Sequence, residues 1–291
     1  MQTPSISAHE QRVVDYYDEE TALYVHSWNA EHFHFGIFEP GEVASEHHHP
    51  RQVPALSAAV VRMVDRIVGP ADLQGATAIV DAGCGVGGTV FELARRSSAH
   101  VTGINICRHQ LGIAERRAEA SPLAERVGFR WGDCAERLPL PDASVDVVVN
   151  VESACHYSNR GQFVAECARI LRPGGMLVAM DWVARDGMTP ADYDRVIAPL
   201  CDAWAMVSLE RPASYRALVR DAGLELLEDE WLGDEVLDNA RLFSRGAAQL
   251  STLASLAPLT PARRRLRRQF ATLSEAWLAG DFGLYRYAAR K

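Results

Sequence analysis

The sequence predicts an α/β fold: an open, mostly parallel sheet with helices on both faces, a helical N-terminal lid and a late cap insertion. Three observations carry this. Ile79-Val80-Asp81-Ala82-Gly83-Cys84-Gly85-Val86-Gly87-Gly88 reads as a short apolar strand, an acid, and glycines at the spacing of a tight strand-to-helix turn. From Ala76 to about Asp181 strand and helix patterns alternate, as parallel strands with crossover helices require. On either side lie an aromatic-rich N-terminal stretch and a long, mainly helical C-terminal one. The expected division is residues 1–70 as lid and acceptor segment, 71–181 as ligand-binding core, and 182–291 as cap helices with the final strands.

Composition narrows the function classes. A chain of 291 residues with 48% hydrophobic content can bury a sizeable core. A net charge of -8 argues against a nucleic-acid partner, which usually calls for a basic surface. The polar start from Met1 to Glu10 does not read as a secretory signal, and no apolar run is long enough to span a membrane, so a cytoplasmic protein is expected. The six cysteines contain no Cys-x-x-Cys pair and read as reduced, mostly buried thiols.

After a frayed start over residues 1–8, a helical pattern from about His9 carries Val13, Val14, Tyr16, Tyr17 and Tyr24. Trp28, Phe33, Phe35 and Phe38 follow with His26, His32 and His34 among them, either as core packing or as a lid lining an apolar pocket. Glu46-His47-His48-His49-Pro50 reads as a solvated loop, because adjacent histidines cannot all face one ion on a helix or strand; no metal is expected. Leu56, Val60, Val61, Val64 and Ile67 mark an amphipathic helix. Strands are expected at His100–Ile106, Val127–Trp131, Val145–Val151, Met176–Asp181 and Gly283–Ala289. A helix is expected over Arg160–Leu171, ended by the breaker Arg172-Pro173-Gly174-Gly175. Arg263-Arg264-Arg265-Leu266-Arg267-Arg268 is a positive run on a helix, read as a solvated face in preference to a site for an anionic acceptor or acidic partner.

Asp81-x-Gly-x-Gly resembles motif I of the class I S-adenosylmethionine-dependent methyltransferases, which have a Rossmann-like sheet. The resemblance implies a loop along the methionine part of the cofactor, with Asp81, Gly83 and Gly85 in contact and Asp81 positioning its amino group. By the same resemblance Asn105 takes the ribose hydroxyls, with Gln110 a weaker candidate, Asp133 receives the adenine amino group, and Asn150 completes the cofactor set. His32-Phe33-His34-Phe35-Gly36 is similar to a His-x-His-x-Gly stretch that helps close the active site in several small-molecule methyltransferases.

The reacting groups are expected just beyond the fourth strand, because ligands of open α/β sheets sit past the carboxyl ends of the strands. Glu152 and His156 emerge there, and on a helix they would face the same way, able to take a proton from a hydroxyl or from a cationic intermediate. Glu152-Ser153-x-x-His156 resembles natural-product O-methyltransferases, in which the histidine is the usual base. Asn150-x-Glu152-Ser153 and Trp277-x-x-Gly280-Asp281-Phe282-x-x-Tyr285 look like geranyl diphosphate and sterol C-methyltransferases. His156-Tyr157 and the lack of a diphosphate-metal cluster depart from that second group. The resemblance therefore implies C-methylation of a prenyl or terpenoid double bond in a small hydrophobic acceptor, with O-methylation next. Small-amine N-methylation is third, and a partner subunit that binds cofactor without chemistry is the alternative of another class. Acceptor contact is expected from Tyr24, Trp28, His34, Phe35 and Trp182, with bulk from Trp204, Met206, Trp231 and Phe243. The apolar leading helix could also pack across a homo-oligomer boundary.

Overall fold

The computed structural model describes residues 6–47, 49–256 and 258–291. His48 of the histidine run and residues 1–5 of the expected frayed end lie outside them; Ser7 caps the first helix by accepting from the His9 and Glu10 amides. The elements are α1 (Ala8–Ser27), α2 (Leu56–Val68), β1 (Ala78–Ala82), α3 (Gly88–Arg96), β2 (His100–Asn105), α4 (Arg108–Glu119), β3 (Val127–Trp131), β4 (Val145–Val151), α5 (Arg160–Ile170), β5 (Leu171–Ala184), α6 (Pro190–Ala203), α7 (Pro212–Asp221), β6 (Glu225–Leu232), α8 (Leu237–Leu256), α9 (Pro261–Leu278) and β7 (Phe282–Arg290).

The strands form one sheet in the order β3-β2-β1-β4-β5-β7-β6. β1 to β5 pair in parallel, and β7 inserts antiparallel between β5 and β6. The chain reverses direction across the sheet between β1 and β4, which opens a crevice at their carboxyl ends. The central strand β4 does not alternate between buried and exposed positions: it is buried nearly throughout, as a strand covered on both faces must be.

Helix α2 shows the expected apolar stripe, with Leu56, Ala59, Val60, Met63, Val64, Ile67 and Val68 buried. α1 is different. Its buried residues are Glu10, Val13, Glu20 and Thr21, so it docks mainly through polar pairs. All six cysteines are free and buried.

Two expectations about the core need correction. Arg172-Pro173-Gly174-Gly175 is not a free turn but part of β5, which begins at Leu171. The register slips there, with Leu171 opposite Val145 and Met176 opposite Val147, and Gly174 absorbs the slip at φ +81°. The Gly174 amide donates to Lys291 and the Lys291 amide to Gly175, at 2.8 and 3.0 Å, so the end of the chain holds the bulge in the sheet. β5 also runs on to Ala184, past the expected boundary at Asp181.

Candidate active site

The turn after β1 is tied to the end of β2. The amides of Gly83 and Cys84 both donate to the Ile104 carbonyl, at 2.8 and 3.0 Å. The glycines serve different needs. A Cβ on Gly83 would lie 1.7 Å from Ser153 Oγ, whereas Gly85, at φ +53°, has nothing within 4 Å of where a Cβ would stand and leaves open space along the loop. Asp81 is 2% exposed, and its Oδ2 has no hydrogen-bond partner. Burial raises its pKa to about 7, so a cationic ligand would stabilise its anion.

Around this loop, Asn105 donates to the Gly85 carbonyl at 3.2 Å and to Gln110 Oε1 at 2.8 Å, while Gln110 donates to Thr21 on α1 at 3.0 Å. The two expected ribose residues are thus joined to each other and to the lid helix. Asp133 is half-buried, accepts from the Ala135 amide at 2.9 Å, and has its pKa raised first by burial, with the nearby Glu10 charge acting in the same direction. Glu10, on α1, takes the Ser158 amide at 3.2 Å. Asp81, Gly83, Gly85, Asn105, Gln110 and Asp133 line one cavity. Asn150 does not. It is fully buried and donates to the Ala82 carbonyl at 2.7 Å, so its side chain braces the end of β1 from behind. Sequence position alone could not separate the two faces of β4 at that point.

The segment after β4 does not turn α-helical, so Glu152 and His156 do not share a helical face. Glu152 takes φ +47°, and only a 3-10 turn follows over Ala154–His156. Each side chain is held by the N-terminal segment instead of by the other. The Glu152 carboxyl accepts from the Phe35 amide at 2.8 Å and from Trp182 Nε1 at 2.7 Å. Burial outweighs these two donors and raises its pKa to about 8. His156 Nε2 meets the Tyr17 hydroxyl at 2.9 Å, and its backbone carbonyl accepts from His9 Nε2 at 2.8 Å. Burial lowers the His156 pKa to about 4, which keeps the ring neutral.

Tyr24, Trp28, His34, Phe35 and Trp182 all line the same cavity as the cofactor residues, with Glu152 and His156 between them. Phe35 stacks on Trp182 at 5.2 Å and Trp28 on Phe243 at 5.5 Å. Trp204, Met206 and Phe243 join the wall as expected. Trp231 does not; it is 38% exposed and covers Gly283 on the outer strands. Sequence reasoning left out Tyr17 as a partner of His156 and Phe270 as a wall residue. The signal for Tyr17 was the aromatic cluster of α1, but its partner is 139 residues away.

The charged runs resolve into local structure. His47 and His49 each turn Nδ1 to a nearby amide, of Ala44 and Arg51. Among the described residues, no group of three or more His, Cys, Asp or Glu is placed to hold a metal ion. The basic run on α9 is not simply a solvated face: Arg265 ion-pairs with Glu20 and Glu19 of α1, and Arg268 with Asp202 of α6 at 2.7 Å. Among the described cavity-lining residues there is no Arg or Lys, while Glu10, Glu20, Glu31, Asp81, Asp133 and Glu152 are acidic.

A family model described as a methyltransferase domain matches residues 80–179. Methyltransferase GfsG of Streptomyces halstedii is 35% identical over 221 residues, 76% of this chain and 75% of that protein. The 27-O-demethylrifamycin SV methyltransferase of Amycolatopsis mediterranei is 38% identical over 172 residues, 58% of this chain and 62% of that protein. In fold, the chain is similar to geranyl diphosphate C-methyltransferase from Streptomyces coelicolor, solved with Mg2+, geranyl diphosphate and S-adenosyl-L-homocysteine. That likeness has a TM-score of 0.73 at 20% identity and covers 98% of this chain and 99% of that one.

Proposed function

The chain belongs to the S-adenosylmethionine-dependent methyltransferases of specialised metabolism, and we propose that it methylates a carbon of a prenyl- or terpenoid-type double bond in a small hydrophobic acceptor. Its cofactor is S-adenosylmethionine. The residues fit that group: a buried, unpartnered carboxylate oxygen on Asp81 suits the amino group, the open face of Gly85 suits close approach, and Asp133 suits the adenine amine. Bound there, it supplies an electrophilic methyl on a sulfonium, and holding acceptor and donor in line is worth roughly 7 to 11 kcal/mol of the barrier.

The observation that carries the proposal is the Glu152 carboxyl, held by Phe35 and Trp182 in a cavity walled by aromatic rings with no Arg or Lys among its described lining. An alkene carbon that gains a methyl leaves a cation on its neighbour. Trp28, Phe35, Trp182 and Phe243 line the cavity, and an aromatic face turned to such a charge is worth on the order of 0.5 to 2 kcal/mol when desolvated. Positive charge in the cavity favours the Glu152 anion over its neutral form. The carboxylate then takes a proton from the carbon beside the cation, the C–H electrons close the new double bond, and the carboxyl ends neutral in surroundings that favour the neutral form. The acidic, Arg- and Lys-free lining also supports a neutral acceptor over a free diphosphate.

A second reading is O-methylation with His156 as base. The neutral imidazole beside Tyr17 can accept a hydroxyl proton, and a relative of this chain is named for an O-demethyl substrate. Methyl-labelled S-adenosylmethionine, offered with prenylated, hydroxylated and amine acceptors to the wild type, Glu152→Gln and His156→Ala, separates the readings. Label on carbon, lost in Glu152→Gln, is the expected result. Label on oxygen, lost mainly in His156→Ala, transfers the case to the second reading, and label on nitrogen sinks both.

A further inference from the structure

Among the buried polar groups the reaction as derived does not use is a histidine of the lid. His32 is 4% exposed, lines the cavity, and its Nε2 has no hydrogen-bond partner. Its state follows from its neighbours. His34 Nδ1 lies 2.8 Å from the Phe35 carbonyl, which can only accept, so His34 carries its proton on Nδ1. A neutral His34 then offers Nε2 as an acceptor, and that atom is 3.0 Å from His32 Nδ1. His32 must therefore donate from Nδ1, and in the neutral ring Nε2 is left as a bare lone pair. Burial keeps both rings neutral, holding their pKa values down to about 2 and about 4.

The position of the His32 ring is set by packing on the loop that follows β1. A Cβ on Gly88 would lie 2.1 Å from the Glu31 carbonyl oxygen and 2.8 Å from His32 Nδ1, so the two segments touch at backbone distance. Asn29 fixes the approach by accepting from the Glu31 and His32 amides at 2.8 and 3.0 Å. Glu31 is neutralised by Arg117 at 2.9 Å. The Nδ1 edge of the ring is thus held against the start of α3, His32 lines the same cavity as Asp81, and its acceptor-only Nε2 calls for a ligand donor and not for a carboxylate.

We propose that His32 Nε2 accepts a hydrogen bond from the amino group at the methionine end of S-adenosylmethionine, sharing that group with Asp81. The lid is then part of the cofactor site itself. The Phe35 carbonyl, His34 and His32 form a relay that fixes the tautomer, with His34 as a positioning residue. The inference rests on the cofactor and is independent of which acceptor atom is methylated.

Calorimetric binding of S-adenosylhomocysteine and of methylthioadenosine, which lacks the amino-acid end, tests it without turnover. His32→Phe is expected to weaken S-adenosylhomocysteine by about tenfold or more while leaving methylthioadenosine within about twofold. His32→Gln, which keeps an acceptor oxygen, should recover part of the loss. Equal loss for both ligands, or no loss for either, overturns the proposal. Should the variants fail to fold, 15N spectra of wild-type histidines decide: the unprotonated Nε2 signal of His32 should move on adding S-adenosylhomocysteine and not methylthioadenosine, and an unmoved or equally moved signal refutes the contact.

Discussion

Asp81 and Glu152 are carboxyls kept from water without a cationic protein partner, and that shared condition sets their response to pH. In the ligand-free protein Asp81 titrates near about 7. Only its anion attracts an amino group, so affinity for S-adenosylhomocysteine should fall as pH drops below 7, approaching about tenfold per pH unit. Titration calorimetry across pH should show this slope in the wild type and its loss in Asp81→Asn. For Glu152 the folded pKa, about 8, lies above the ordinary carboxyl value of 4.5. The folded state therefore holds the proton more tightly, and the stability this contributes at low pH is lost as pH rises towards about 8. Thermal unfolding of the ligand-free protein should show Glu152→Gln gaining on the wild type by a few degrees, roughly, between pH 5 and 8. A constant gap would mean that Glu152 is already ionised in the folded protein.

Among the elements, α1 and the following loop depart furthest from an ordinary packed helix. α2 is held by apolar burial, but α1 is held by pairs reaching four separate parts of the chain: the turn at His156 and Ser158, Gln110, Asp202 and Arg265. Such bonds exchange with water at small net cost, about 0.5 to 1.5 kcal/mol each, so the docking of this helix is a sum of small terms. Gly88 is one of the points where the lid loop touches the core. Replacing a helical glycine by alanine ordinarily stabilises by about 0.5 to 1 kcal/mol. Here the added carbon would meet the Glu31 carbonyl at 2.1 Å, and backbone cannot step aside cheaply. Gly88→Ala should therefore leave the core folded, expose residues 29–36 to protease, and weaken S-adenosylhomocysteine by about tenfold.

For the molecule as a whole, the sheet provides the floor of the site and three distant segments its walls: α1 with its loop, the β5–α6 region, and α8–α9. Phe35, Trp182, Phe243 and Phe270 come from four separate stretches of these walls and meet only because β7 folds back beside β5 and brings α9 over the cavity. Removing residues 1–20 should leave the sheet spectrum in far-ultraviolet circular dichroism but abolish tight cofactor binding and methyl transfer. The same truncated chain, weighed by sedimentation, tests the expected assembly through the leading helix: an unchanged number of subunits would sink it. No helix among the described residues is long and apolar enough to cross a membrane.

How much was legible follows from the range of each interaction. The α/β fold, the Asp-x-Gly-x-Gly loop and the strands at 127–131 and 145–151 are local: apolar runs, breakers and glycine turns act over a few residues, so their spacing in the chain determined them. Whether Glu152 and His156 share a helical face was open in the sequence, and they do not, because the left-handed backbone at Glu152 is stabilised by Met180, Phe35 and Trp182, none of them a sequence neighbour. Trp231 was placed in the site on residue type and Asn150 by resemblance, and only the sheet decided which way each side chain faced. Tertiary structure likewise paired His156 with Tyr17 and settled the tautomer of His32. Hydrogen bonds and burial between separate segments carry no periodicity, so their outcome waits on the folded chain.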